Sequence, residues 1–207
     1  CLAQLAETAG FFLAKEVDLQ IYVGEGDSTD GTSAACAAAV HTIPRLRLID
    51  ASHGDPQTYA SVVSERRFWQ LATATNKVLA AVPPEVRYVI WVDGDLIWTP
   101  NALYALLGSV IAQDPPAIVG AAVLVENRAR DTWALRLPGK SAFSLHAYPP
   151  YAKGLNRDGL TLMDSVGGVF AFDREILAFA RMTDDEAVAG FCREARAGGA
   201  TVYVDWR

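Results

Sequence analysis

Asp93 and Asp95 are the residues of this chain best placed to do chemistry. They are two carboxylates one glycine apart, directly after the apolar run Tyr88-Val89-Ile90-Trp91-Val92. Left alone, each charge opposes the ionisation of the other. A divalent cation reverses that logic, because its charge favours both carboxylates at once. Hard oxygen ligands suit magnesium or manganese, and such an ion keeps positions open for substrate phosphates. The pair therefore predicts a metal that clamps a diphosphate, set against the plainer reading of a solvated acidic turn. The apolar run is short, rich in β-branched and aromatic residues and preceded by Pro83-Pro84, so it reads as a buried strand. Thr99 and Pro100 then open an amphipathic helix over Asn101 to Ala112, with Thr99 as its cap. The acids thus lie at the carboxyl end of a strand, the edge where open α/β sheets bind ligands.

A second cluster is Glu25-Gly26-Asp27-Ser28-Thr29-Asp30-Gly31-Thr32, between a strand and an alanine-rich helix. Gly26 and Gly31 permit a tight turn, and Asp30 is expected to cap the helix. Glu25 and Asp27 could accept hydrogen bonds from a nucleoside base or ribose. Arg66 and Arg67 open a long helix, where an arginine could pair a phosphate bidentately or lie on a solvated face. Asp184 and Asp185 open the last helix, where carboxylates suit the helix dipole.

The elements that must position these residues follow from periodicity. A helix is expected over residues 1 to about 16, then a strand from Asp18 to Val23 and a helix to about Val40. A strand at Leu46–Ile49 and a helix from Tyr59 to Ala81 precede the central strand. Further strands are expected at Ala117–Val125, Met163–Phe172 (interrupted by Gly167-Gly168) and Thr201–Asp205. A short helix starts at Asp173, and another covers Thr183–Ala197. Residues 127–162 are irregular and read as an acceptor loop or lid. Alternation of strand and helix predicts an α/β domain with a mostly parallel sheet. The chain opens on a helix, so the expectation is one domain over 1–207 that lacks its first strand.

The 207 residues are 51% hydrophobic and 20% charged, enough to fill a sizeable core. A net charge of -6 argues against a general nucleic-acid surface. Three cysteines without paired spacing form neither a disulfide framework nor a zinc site, which points to a reducing, cytoplasmic setting. No apolar stretch has the length of a membrane span.

Taken in order, Val23 to Thr32, Trp91-Val92-Asp93-Gly94-Asp95 and Val166-Gly167-Gly168-Val169-Phe170 resemble GT-A glycosyltransferases of the family 2 type. The run from Trp91 to Pro100 is similar to the fungal mannan-polymerase subfamily. The resemblance implies a GT-A, Rossmann-like fold and sugar transfer from a nucleotide-diphosphate sugar, GDP- or UDP-linked. It implies that Glu25 meets the nucleoside, that Asp93 reaches the ribose or the metal, and that Asp95 binds the metal. It gives Gly167 and Gly168 a close approach to donor sugar or acceptor, with a β-bulge as the alternative. It makes Asp185, or Asp184, the base that takes the acceptor's proton. The acceptor is left open: glycan, lipid, protein or modified nucleic-acid base. A sugar nucleotidyltransferase and a non-catalytic carbohydrate-binding or scaffold domain are the alternatives.

Overall fold

The computed structural model describes residues 1–55, 64–114, 116–152, 155 and 158–207. The chain divides into two compact units. The first comprises Cys1–Glu85, Ile97–Tyr104 and Met182–Ala187; the second comprises Val86–Leu96, Ala105–Arg181 and Val188–Arg207.

In the first unit, helix α1 (Leu2–Ala14) precedes strand β1 (Ile21–Glu25), helix α2 (Thr32–Ala39), strand β2 (Leu46–Asp50) and helix α3 (Glu65–Ala80). β1 and β2 pair in parallel, from Ile21 opposite Leu46 to Glu25 opposite Asp50, and α2 and α3 pack on them. Ile21, Ala39, Ile43 and Leu46 form the core, with Leu2, Leu5 and Ala9 of α1 laid against it at helical spacing. Phe11 and Phe12 meet Tyr104 edge-on at 5.9 and 5.8 Å. The amino end of α3 is set by Ser64, whose hydroxyl accepts the Arg67 N–H. That helix was expected from Tyr59; residues 59–63 lie outside the described residues.

In the second unit, strand β3 (Tyr88–Val92) is followed by helix α4 (Pro100–Ile111, its first turn in the other unit) and strand β4 (Ala117–Ala121). Then come short strands β5 (Leu124–Val125), β6 (Arg128–Ala129) and β7 (Leu160–Leu162), strand β8 (Val169–Asp173), a 3-10 turn (Arg174–Ala178), helix α5 (Val188–Ala197) and strand β9 (Thr201–Asp205). The five-stranded sheet has the order β3-β8-β4-β9-β7. The α/β class holds, but the sheet is mixed rather than mostly parallel. β4 and β9 are parallel, whereas β8 runs antiparallel to both β3 and β4, and β7 antiparallel to β9. Alternation predicts direction only where a crossover helix separates strands; the described residues between β4 and β8 form none.

β4 and β8 are buried through four successive residues each, which is why they read as continuous apolar runs. Phe170, Phe172 and Phe191 pack together, with Phe172 and Phe191 edge-to-face at 5.2 Å. Cys192 lies wholly inside, and burial pushes its thiol up to about 12. The strand expected over Ala117–Val125 stops at Ala121. Leu124 and Val125 pair instead with Ala129 and Arg128 across a two-residue turn, in which Glu126 and Asn127 both take positive φ (50 and 61°).

Several other expectations are corrected. Asp30 does not cap α2: Gly31, at φ 86°, holds the cap position, and Asp30 instead accepts the Thr32 N–H and hydroxyl in a local turn. The strand expected from Met163 is broken, since residues 163–168 belong to no strand and β8 begins after the glycines. Thr183 to Ala187 is not helical either; the two residues bond back on each other as a tight turn before α5.

At the end of β9, Asp205 accepts the Ser109 hydroxyl at 2.6 Å and the Arg207 guanidinium at 2.8 Å. Burial alone would raise this carboxyl, yet the bonds from Arg207 and Ser109 outweigh it and hold it at about 2. Its folded value lies below the usual carboxylate range, so its ionisation stabilises the fold above about pH 4 and loses that effect as pH falls toward 2. Asp205→Asn should therefore lower the melting temperature at pH 7, and the gap to the parent should close as pH drops from about 4 to 2. A gap independent of pH would refute the assignment.

Candidate functional site

In the second unit, the ladder between β3 and β8 continues one step past Val92, where the Asp93 N–H donates to the Gly168 carbonyl at 2.8 Å. Asp93 is therefore fixed opposite the two glycines, and the Trp91 indole N–H donates to its carboxylate at 2.8 Å. Asp93 is exposed by its accessible surface, yet the atoms crowded around its carboxylate strip away much of its hydration. That desolvation, followed by the charges of Asp95 and Asp131, pushes it up to about 6 against the lowering effect of the Trp91 bond. Asp95 lies farther out, paired with Arg130 at 2.5 Å. Both partners are largely exposed, so this pair contributes little to stability and yields readily.

Gly167 and Gly168 serve these acids directly. A Cβ on Gly168 would stand 2.8 Å from an Asp93 carboxylate oxygen, and one on Gly167 would stand 2.5 Å from Asp131. Both glycines thus let these acidic side chains pack close, and a side chain at either position would push a carboxylate aside. Asp131 and Arg130 escaped the sequence reading. They lie in the irregular stretch 127–162, where no periodicity marks them. The described part of that stretch is held by backbone bonds such as Ala129 N–H to Ala147 and Asp164 N–H to Arg136, and by the buried Leu135, Leu145 and Tyr151. Residues 153, 154, 156 and 157 of it lie outside the described residues. Among the described residues, no three His, Cys, Asp or Glu side chains converge as a full metal-binding cluster would.

In the first unit, Glu25 ends β1 and one of its carboxylate oxygens is buried with no hydrogen-bond partner among the described residues. Such an oxygen is costly unless something donates to it. Gly26 has the backbone of Ser52 so close that a Cβ would collide with it. Asp27 is committed to the neighbouring loop, accepting the N–H groups of His53 (2.6 Å) and Gly54 (3.1 Å). A cleft of about 550 Å³ in the same unit is lined by Glu65, Arg66, Trp69, Asp184 and Asp185. Arg66, not Arg67, lines it, and the Arg66 guanidinium grips Asp55 through Nε and Nη2. The turn that carries Asp184 and Asp185 is tied to α3 by Asn76. Its amide donates to the Met182 carbonyl at 2.9 Å and accepts the Met182 N–H at 3.0 Å.

Residues 1–179 match the profile described as Glycosyl transferase family 2. The chain belongs to this family. The family 2 match includes Glu25, Asp27, Asp93, Asp95, Gly167 and Gly168 and ends short of Asp184 and Asp185. Among solved structures, one titled a mycobacterial protein is similar with a TM-score of 0.57 and 19% identity, over 99% of this chain and 60% of its own. Glucosyl-3-phosphoglycerate synthase from Mycobacterium tuberculosis, in complex with uridine diphosphate, gives 0.49 at 18% identity, over 99% of this chain and 66% of its own. The chain thus spans less than two thirds of either neighbour, and the first of them shows a shared fold. No curated protein matches the chain. Among the described residues, no helix is long and apolar enough to cross a membrane.

Two outcomes test this geometry. In the metal-free protein, carboxyl-detected NMR should find Asp93 titrating near 6, lower in Asp131→Asn and higher in Trp91→Phe. Because its folded value is raised, ionising Asp93 costs stability as pH rises from about 4 through 6. Removing the Asn76 amide leaves both polar groups of the buried Met182 peptide unpaired, so Asn76→Ala should cost about 1–3 kcal/mol in urea denaturation.

Proposed function

We propose that this chain is the donor- and acceptor-binding part of a glycosyltransferase, moving a sugar from a nucleotide-diphosphate sugar to an acceptor hydroxyl. The observation that carries the reading is the desolvated Asp93 at the end of β3, on which the charges of Asp95 and Asp131 act, in a chain of family 2. A carboxyl already pushed up to about 6 by desolvation and like charge gains most from a nearby cation. The donor set is all oxygen and suits magnesium or manganese. Asp93 and Asp95 would hold the ion, with Asp95 exchanging its exposed partner Arg130 for it. When bound, the ion offsets negative charge on the departing diphosphate.

The chain's own residues supply the rest. The Glu25 oxygen that has no partner among the described residues accepts a donor group of the nucleoside base or ribose. Asp27 holds the loop at His53 and Gly54 in place, and Arg67 is the candidate to meet the donor's phosphates. Asp185, or Asp184 beside it, takes the proton from the acceptor hydroxyl. As that proton leaves, the acceptor oxygen bonds to the anomeric carbon, and the bond from that carbon to the diphosphate breaks. Resemblance of the Trp91–Pro100 run to mannan polymerases favours a GDP-mannose donor; the Glu25 loop suits UDP-sugars equally.

Incubation with GDP-mannose, UDP-glucose and manganese, without acceptor, should release nucleoside diphosphate slowly. Asp95→Asn should lower that rate at least about 100-fold, a loss of roughly 3 kcal/mol of transition-state stabilisation. The apparent manganese affinity should rise with pH through about 6, as Asp93 ionises. Turnover of a sugar-1-phosphate with a nucleoside triphosphate would assign a nucleotidyltransferase instead, and binding without release would assign a non-catalytic module.

A further inference from the structure

The cleft between the first turns of α3 and the turn at Asp184-Asp185 has a chemical character of its own. Trp69 is 38% exposed and lies in the lining, its ring 6.1 Å from that of His53 and tilted 57° to it. The side chain of His53 is itself almost fully buried, so it backs the indole with a fixed surface. Among the described residues, three carboxylates, Glu65, Asp184 and Asp185, line the cleft against one guanidinium, that of Arg66. Arg66 already spends its planar fork on Asp55, a fourth carboxylate. A volume of about 550 Å³ is in the range of small-ligand sites.

An anion entering such a cleft meets a surplus of negative charge and a guanidinium whose Nε and Nη2 already hold a carboxylate. An uncharged sugar meets the reverse. The C–H face of a pyranose ring finds apolar contact on an exposed indole, and its hydroxyls find carboxylate acceptors around the rim. We propose that this cleft is the acceptor subsite and selects an uncharged saccharide, with one sugar ring packed on Trp69 and its hydroxyls donating to Glu65 and to the Asp184-Asp185 pair. Phosphorylated and carboxylated acceptors are excluded by charge. The assignment rests on the transferase reading and names its acceptor class. Trp69 and Glu65 thereby become specificity-determining residues, neither of which touches the donor in this scheme.

The test uses the intact chain, methyl glycosides of glucose, mannose and galactose as neutral probes, and the 6-phosphates of the same sugars as anionic ones. Saturation-transfer NMR measures their binding, while fluorescence titration with GDP and UDP measures donor binding on the same samples. At least one neutral glycoside should bind ten-fold or more tighter than its 6-phosphate. Trp69→Ala should weaken that glycoside at least ten-fold, Trp69→Phe should restore it to within about three-fold, and nucleotide affinity should change by less than two-fold in both. Glu65→Gln should narrow the gap between neutral and phosphorylated sugar. Preference for the 6-phosphates, no binding of any neutral probe, or indifference to Trp69→Ala overturns the inference while nucleotide binding persists. Loss of nucleotide binding in the parent protein overturns the transferase reading itself.

Discussion

Antiparallel pairing of β3 with β8 is the constraint from which the acidic centre follows. The register places the Asp93 amide on the Gly168 carbonyl, one step beyond the last paired residues, Val92 and Val169. That single bond sets the Asp93 carboxylate against Gly168, where a side chain would crowd it. Asp131 then closes in on Gly167 from the loop that follows β6, which starts at Arg128. The result is a concentration of negative charge that the protein neutralises only in part, through the exposed Arg130. The sheet interior, with Phe170 and Phe172 fully buried beneath this rim, gives the register no freedom to slip.

The first unit places its polar residues by a different means. Its loops are held by individual side chains rather than by ladder bonds. Asp27 gathers the amides of His53 and Gly54, Asp55 holds Arg66, and Asn76 holds Met182. Asp27 is a nucleoside-binding candidate in the sequence, and here it is occupied in shaping the backbone. Glu25 is the contrast, since its buried oxygen has no such task among the described residues.

What could be read from the sequence divides along the same line. Strands β3 and β9 lie where periodicity puts them, and the acidic pair at the end of β3 follows from that placement. Thr99 caps α4 as its position implies, accepting the Ala102 N–H at 3.3 Å. Local signals suffice for such features. The contribution of Asp131 was not legible, because it depends on a long-range approach to Gly167 that no spacing encodes. Direction in the sheet was misread because alternation says nothing about a segment, residues 122–168, whose described residues form no helix. Asp184 and Asp185 resembled the first turn of a helix in composition, but the return bond from Ala187 to Thr183 competes with helix formation and wins there. Gly167-Gly168 was legible as a requirement for closeness, though the neighbours it accommodates are the protein's own acids.

The grip of Asn76 on Met182 has a mechanical meaning. A side-chain amide offers one donor and one acceptor side by side, so it mates with a peptide unit as a neighbouring strand would. Two parallel bonds of 2.9 and 3.0 Å resist sliding along α3 far more than they resist rotation about the line joining them. The turn that carries Asp184 and Asp185 is thus held in register with α3 at Met182, so a change in where Asn76 sits along the helix is passed directly to those two carboxylates.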